Sequence, residues 1–354
     1  MKYLGGTIVL IIIICITWFG YHEYQTTKNH VADLHEQLAQ TQHDLKENEA
    51  LQTNLQTLEL KLAQQTDQEK IYTIFAIGDI MLDRGVETKI KNLGQDYSFS
   101  FDLIKEDLTT ADIVFANLEG SVSDIGVDTG KEYSFRFEPI VVEALSDSGI
   151  DVVSLANNHI LDWGRDALCD TTKNLDRVGI YYVGAGCNND QAEAPYIVTL
   201  GDTRVAFLAY TEFYIGAHAT SDRPGLSEYN MEKISNRIHT LKEQSEVDLV
   251  FVSMHWGEEY KNRATLNQVV LGRALVDAGA DVVIGHHPHV DQEIERYDNG
   301  WIIYSLGNFV FDQSWSEETM QGLLAEIQIQ HKHVYDIVPK MVQLNSNYQP
   351  YLVQ

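Results

Sequence analysis

The chain has 354 residues, with 52 Asp and Glu against 25 Lys and Arg and a formal net charge of −27. A surface field of that sign repels nucleic acid and anionic lipid, which speaks against nucleic-acid binding, and it attracts divalent cations. Residues 71–354 suffice for one large α/β domain.

From Leu4 to Gly20 the sequence is almost wholly apolar, with Lys2 ahead of it and Trp18, Phe19 and Tyr21 at its far end. A bilayer span needs about 20 apolar residues, with roughly 17 as the lower limit, so the run suffices when its aromatic residues sit at the interface. No Ala-x-Ala site follows in Gly20-Tyr21-His22-Glu23, so an uncleaved anchor over residues 1–25 is expected rather than a signal peptide. The short positive N-terminus stays inside, which places the rest of the chain on the extracytoplasmic side of the cell membrane as a single-pass protein.

Residues 26–70 read as a helical stalk. Val31, Leu34, Leu38 and Leu45 fall at a/d spacing, and Leu51, Leu55, Leu58 and Leu62 continue in a shifted frame. Thr41 and Asn48 occupy d positions, which leaves a homodimeric coiled coil and a single solvated helix equally open.

From Ile71 short apolar strands alternate with amphipathic helices. Strands are expected at Ile71–Ile77, Ile113–Ala116, Val152–Leu155, Val205–Tyr210, Leu249–Met254, Val282–Ile284 and Trp301–Ser305. Helices are expected at Val141–Ser148, Asp166–Val178, Met231–Gln244 and Leu266–Ala278. That order predicts parallel pairing through crossover helices, with an antiparallel extension near Gln292–Tyr297 and Leu323–Ile329. The three cysteines form no metal-binding pattern. Cys169 and Cys187 are expected as free, partly buried thiols, with a disulfide between them as the alternative outside the cytoplasm.

Six polar clusters follow apolar strands: Gly78-Asp79, Asn117-Leu118-Glu119-Gly120, Asn157-Asn158-His159, His255-Trp256-Gly257, Gly285-His286-His287-Pro288-His289 and Leu306-Gly307-Asn308-Phe309. Strand ends are where α/β folds gather reactive groups. Taken singly, an Asp or Asn after a strand caps a helix or closes a turn, and a lone His is a satisfied structural residue. Taken together, Asp79, Glu119, Asn158, His255, His287 and His289 supply carboxylate, amide and imidazole groups, the mixture that a hard-to-borderline divalent ion accepts. Mn, Zn, Fe and Mg are not distinguished, and a site without metal stays open.

These clusters carry a family resemblance. Together with Ile80-Met81-Leu82-Asp83-Arg84, Phe135-Arg136-Phe137, Ile160-Leu161-Asp162-Trp163-Gly164 and Glu258-Glu259-Tyr260, they resemble the successive motifs of the poly-γ-glutamate capsule synthesis family (CapA/PgsA-like), in the family's order from about Ile71 to Phe311. The resemblance implies a relation to calcineurin-like metallophosphoesterases. The implied fold is a four-layer α/β/β/α sandwich with mixed sheets over residues 71–354. It further implies Asp79 and His289 on one metal, Glu119 bridging, Asn158, His255 and His287 on a second metal, and His159 beside the substrate as an acid. Where the phosphoesterases carry Asp-x-His, this chain has Asp79-Ile80-Met81, and a thioether is a poor ligand for hard ions. The first metal position is therefore expected to be weak or empty, with the Arg84 guanidinium placed to stand in for a cation and to bind the substrate by forking onto a carboxylate or phosphate. Arg136 is expected to contact an anion or to brace Glu138, and Asp162 to orient His159 or cap a helix.

The function that follows is a membrane-anchored component of poly-γ-glutamate capsule synthesis or export, with the polymer and membrane-embedded synthesis subunits as partners. A metal-dependent phosphoesterase or γ-glutamyl amide hydrolase is the second reading. A metal-free acid–base enzyme using Asp79 is a third, and a non-enzymatic assembly protein a fourth.

Overall fold

A computed structural model describes residues 71–214, 216–244 and 247–353, together with positions 27, 28, 30–38, 40, 41, 57, 58, 61 and 70. The chain divides into two compact units, Met1–Lys70 and Ile71–Gln354. In the first, positions 30–38 are helical, and Thr41 Oγ1 donates to the Gln37 carbonyl at 2.7 Å. The expected anchor and most of the expected stalk lie outside the described residues. Among those described, no helix is long and apolar enough to cross a membrane.

In the second unit β1 (Tyr72–Ile80), β2 (Ile113–Leu118), β3 (Val152–Ser154) and β4 (Tyr181–Val183) pair in parallel, as strands joined by crossover helices must. A second sheet follows from β5 (Tyr196–Leu200), β6 (Thr203–Thr211), β7 (Leu249–His255), β8 (Val282–His286), β9 (Ile294–Tyr297) and β10 (Gly300–Ile303). Its order is β9-β10-β8-β7-β6-β5, parallel at the centre and antiparallel at both edges. The chain then returns to the first sheet. There β11 (Asn308–Val310) lies parallel to β1, while β12 (Gln321–Gln330), β13 (His333–Leu344) and β14 (Pro350–Leu352) extend it antiparallel.

Alternation along the strands sets the layering. Phe207, Phe251, Ile284 and Ile303 of the second sheet share one core with Ile74 and Phe115 of the first, and the Phe115 and Phe207 rings stack at 5.3 Å. The intervening residues Leu208, Val250, Val252 and Val283 face the opposite way, against Ile234, Ile238 and Leu275 of helices Met231–Glu243 and Leu266–Asp277. Helices Arg84–Leu93, Val141–Asp147 and Gly164–Val178 pack on the first sheet through Val86, Ile90, Val141, Leu168 and Leu175. The result is the expected pair of mixed sheets between two helical layers.

The thiol state expected for the cysteines is overturned. Cys169, on helix Gly164–Val178, and Cys187 form a disulfide across a Cα–Cα distance of 4.9 Å. Parallel pairing of β3 with β4 turns the chain back beside that helix, so residues 18 apart in sequence meet in space.

Candidate metal centre

The parallel strands end on one edge, and the polar clusters follow from it. Asp79 is the penultimate residue of β1, His255 and His286 end β7 and β8, and Glu119 follows β2. Two glycines let the backbones close in. A Cβ on Gly78 would lie 2.1 Å from the Gly307 carbonyl oxygen, and one on Gly285 would lie 2.0 Å from that of Tyr304. His287 (φ 98°) and His289 (φ 59°) occupy the left-handed region on either side of Pro288. Such strain in non-glycine residues persists where the surroundings hold it, and here it turns both imidazoles inward.

Asp79, Glu119, His159, His255, His286, His287 and His289 are all buried. Glu119 Oε1 stands at the centre, 3.8 Å from His159 Nε2, 3.9 Å from His255 Nε2 and 3.8 Å from His289 Nε2. Among the described residues it has no hydrogen-bond partner, and neither has His287 Nδ1. Asp79 Oδ1 accepts from Asn117 Nδ2 at 2.8 Å and lies 3.2 Å from His286 Nδ1. Its Oδ2 accepts from the His287 amide at 3.2 Å and lies 3.5 Å from His289 Nδ1. Two overlapping donor sets, Asp79-Glu119-His255 and Glu119-His287-His289, each have ligand atoms within 4.8 Å of one another. Asn158 Oδ1 meets His255 Nε2 at 2.8 Å, so it borders the first set.

Electrostatics follow from crowding in a buried space. Burial raises the Glu119 carboxyl well above the carboxylate range, and the nearby Asp79 and Glu259 charges add to it. Burial acts on Asp79 in the same direction, but hydrogen bonding and charge from His286, with His289 and Asn117, outweigh it and hold that carboxyl low. His255 is pushed well below the imidazole range by burial and by His287, His286 and His289. Burial, with His289, takes His287 to about 3. His255 and His287 are thus neutral imidazoles, the form that binds metal.

His159 is oriented as its sequence position suggested. Its Nδ1 lies 2.6 Å from Asp162 Oδ2, and the Phe135 ring stacks on it at 3.9 Å. Burial lowers the His159 imidazole, outweighing Asp162. Asp162 is itself fixed by the Phe135 amide at 2.9 Å and by Lys131 Nζ at 2.8 Å. Arg84 is paired with an acid. Its guanidinium forks onto Asp312, at 3.1 Å from Nε and 2.6 Å from Nη2, and faces the Phe135 ring at 5.1 Å. Met81 is buried with its sulfur against the Asp83 amide at 3.2 Å. Arg136 begins the short strand Arg136–Phe137, and its guanidinium lies over the Trp163 ring at 3.6 Å.

Three residues of the site went unassigned in the sequence. Asn117 bridges Asp79, Glu119 and His255, at 2.8, 3.3 and 3.4 Å from its Nδ2, and its place two residues before Glu119 at the end of β2 was the available signal. His286 was hidden by its neighbours in a run of imidazoles. Lys131 lies in the irregular segment between Val122 and Arg136, and no local pattern announces its contact with Asp162.

A family model described as bacterial capsule synthesis protein PGA_cap matches residues 73–313. The "Capsule biosynthesis protein CapA" of Bacillus anthracis is 36% identical over 292 residues, which are 79% of this chain and 69% of that protein. The "PGA biosynthesis protein CapA" of Bacillus subtilis is 33% identical over 263 residues, 73% of this chain and 68% of that protein. Among solved structures, a 5'-nucleotidase precursor from Thermus thermophilus aligns with a TM-score of 0.49 at 11% identity, covering 80% of this chain and 56% of that chain.

Proposed function

Because this chain belongs to the bacterial capsule synthesis protein family PGA_cap, we propose that it serves the synthesis or export of a poly-γ-glutamate capsule, working through a divalent-metal site at its strand ends. The observation that carries the metal reading is Glu119 Oε1, a buried carboxylate oxygen without a hydrogen-bond partner among the described residues, surrounded by three imidazole nitrogens at 3.8–3.9 Å. An uncompensated carboxylate in such a place is costly, and an ion removes the cost. Asp79, Glu119, His255, His287 and His289, with Asn158 at the margin, would hold it; the mixed oxygen and nitrogen donors suit Zn, Mn or Fe better than an all-oxygen ion such as Ca. When bound, the ion supplies a Lewis acid for a phosphoryl or carbonyl oxygen.

The chain's own residues add a proton-handling pair. A carboxylate only accepts hydrogen bonds, so Asp162 keeps the His159 proton on Nδ1 and leaves Nε2 aimed toward Glu119. That arrangement favours a hydrolase over a purely structural site as the second reading, since a stability role needs no oriented imidazole beside the donor set.

The location is proposed on two grounds. The apolar run in residues 1–25 reads as a membrane anchor, and the Cys169–Cys187 disulfide suits an oxidising compartment outside the cytoplasm. The acidic surface then lies in a cation-rich medium.

Elemental analysis of the full chain purified without chelator, beside His255→Ala and His287→Ala, tests the metal reading. Near-stoichiometric metal in the wild type, lost in both variants, is the expected result; its absence from the wild type overturns it. Loss of cell-bound polymer on deleting the gene, restored by the wild type and not by His287→Ala, tests the capsule role.

A further inference from the structure

Near the histidine cluster the protein exposes three large aromatic side chains, Tyr133 at 58%, Tyr260 at 43% and Trp315 at 60%. Scattered single aromatics on a surface need no explanation, but several on the rim of one polar site mark ligand contact. Tyr260 is the best anchored. Its ring lies 6.1 Å from that of His289, and Trp315 meets it edge-on at 5.6 Å with an interplanar angle of 79°. Tyr133 faces the Arg84 guanidinium at 5.8 Å, and that guanidinium also faces the Phe135 ring that stacks on His159.

Tyr260 is held there at a cost. Its φ of 62° is unfavourable for an aromatic residue, and its amide donates to the Pro288 carbonyl at 2.8 Å within the His287-Pro288-His289 turn. Its hydroxyl accepts from Gln313 Nε2 at 3.2 Å, Gln313 Oε1 accepts from Asn308 Nδ2 at 3.1 Å, and Asn308 Oδ1 meets His289 Nδ1 at 3.0 Å. The same network therefore fixes an expected metal ligand and an exposed ring.

We propose that Tyr260 and Trp315, with Tyr133 beside Arg84, form an aromatic lip that receives the uncharged amide and methylene stretches of a γ-linked glutamyl chain as it passes the site. This names the substrate contacts of the site and rests on the poly-γ-glutamate reading above. Two features favour an extended chain over a sugar. The near-perpendicular Tyr260–Trp315 pair makes a corner, which accepts a narrow backbone, whereas a pyranose ring needs a flat platform. The guanidinium at the lip, that of Arg84, is already forked onto Asp312, and Glu258 and Glu259 are exposed beside Tyr260. Recognition at the lip therefore falls to the neutral parts of the polymer, with its carboxylates turned to solvent or to the site.

The test is calorimetric titration of the full-length, metal-replete protein with a synthetic γ-linked glutamate octamer, with chito-oligosaccharide as the competing probe. Tyr260→Ala and Trp315→Ala should each weaken octamer binding about tenfold. Tyr260→Phe, which keeps the ring, should stay within about threefold of the wild type, and metal content should be unchanged in Trp315→Ala. Octamer binding by the wild type that survives both alanine substitutions overturns the lip and leaves the polymer reading standing. No octamer binding by the wild type overturns both, as does a lip-dependent preference for the oligosaccharide.

Discussion

His159 and Asp162 form a buried pair, Nδ1 to Oδ2 at 2.6 Å, while the other ring nitrogen of His159 looks toward Glu119 Oε1 at 3.8 Å. Asp162→Asn replaces an acceptor by a group that can donate, which moves the favoured proton from Nδ1 to Nε2. Nitrogen-15 shifts of His159 should report that exchange, with a loss of about 1–3 kcal/mol in stability because the carboxylate's contacts with Lys131 and the Phe135 amide also weaken. Unchanged ring shifts would show that Asp162 does not set the tautomer.

Glu119 illustrates a site maintained against stability. Its carboxyl is buried, has one oxygen without a partner among the described residues, and is raised well above the carboxylate range by burial and then by Asp79. Glu119→Gln should therefore raise the melting temperature of the chelator-treated protein, by an amount equivalent to about 1–2 kcal/mol, while abolishing stoichiometric metal uptake. A variant both less stable without metal and still able to load it would contradict this account.

The pH response of the metal-free protein has a definite sign. Burial and then His289 depress the folded His287 imidazole from 6.5 to about 3, so the unfolded chain takes up the proton first. The stability contributed by His287 is complete above 6.5 and is lost as pH falls toward 3. Glu119 titrates in the opposite sense, so the comparison should be made against His287→Gln. The stability advantage of the wild type over that variant should shrink on acidification, by at most about 1.4 kcal/mol per pH unit. A difference that stays flat between about pH 7 and pH 4 would rule out a buried neutral His287.

The Cys169–Cys187 bond closes a short loop, its ends 18 residues apart in sequence. Reduction, or the double replacement by Ala, should cost about 3 kcal/mol in urea unfolding. Identical midpoints with and without reductant would indicate that the bond does not form in the purified protein.

The alternation of strand and helix from Ile71 onward was readable because each element carries its own period of apolar residues, and the observed strands match those positions closely. Asp79, Glu119, His255, His287 and His289 were legible for a related reason: they sit at or just beyond strand ends, a place defined along the chain. Asn158 touches His255 and stands half-exposed at the edge of the donor sets. Arg84 and Arg136 show the limit of such reading. Both lie in motifs close to the site, but their partners in the folded chain were not readable there: Asp312, 228 residues away in sequence, pairs with the first, and the second lies over Trp163.

The sequence by itself determined which segments become strands and helices, that the strands run mostly parallel, and which residue types collect where they end. These depend on local periodicity and on the rule that crossover connections align successive strands. Only the tertiary structure decided that Cys169 meets Cys187, that Asn117 and His286 support Asp79, that Lys131 holds Asp162, and that Glu119 Oε1 is left buried without a partner among the described residues. Each of these depends on distances between groups far apart along the chain, fixed when two sheets close on a shared core, and such distances have no local signature.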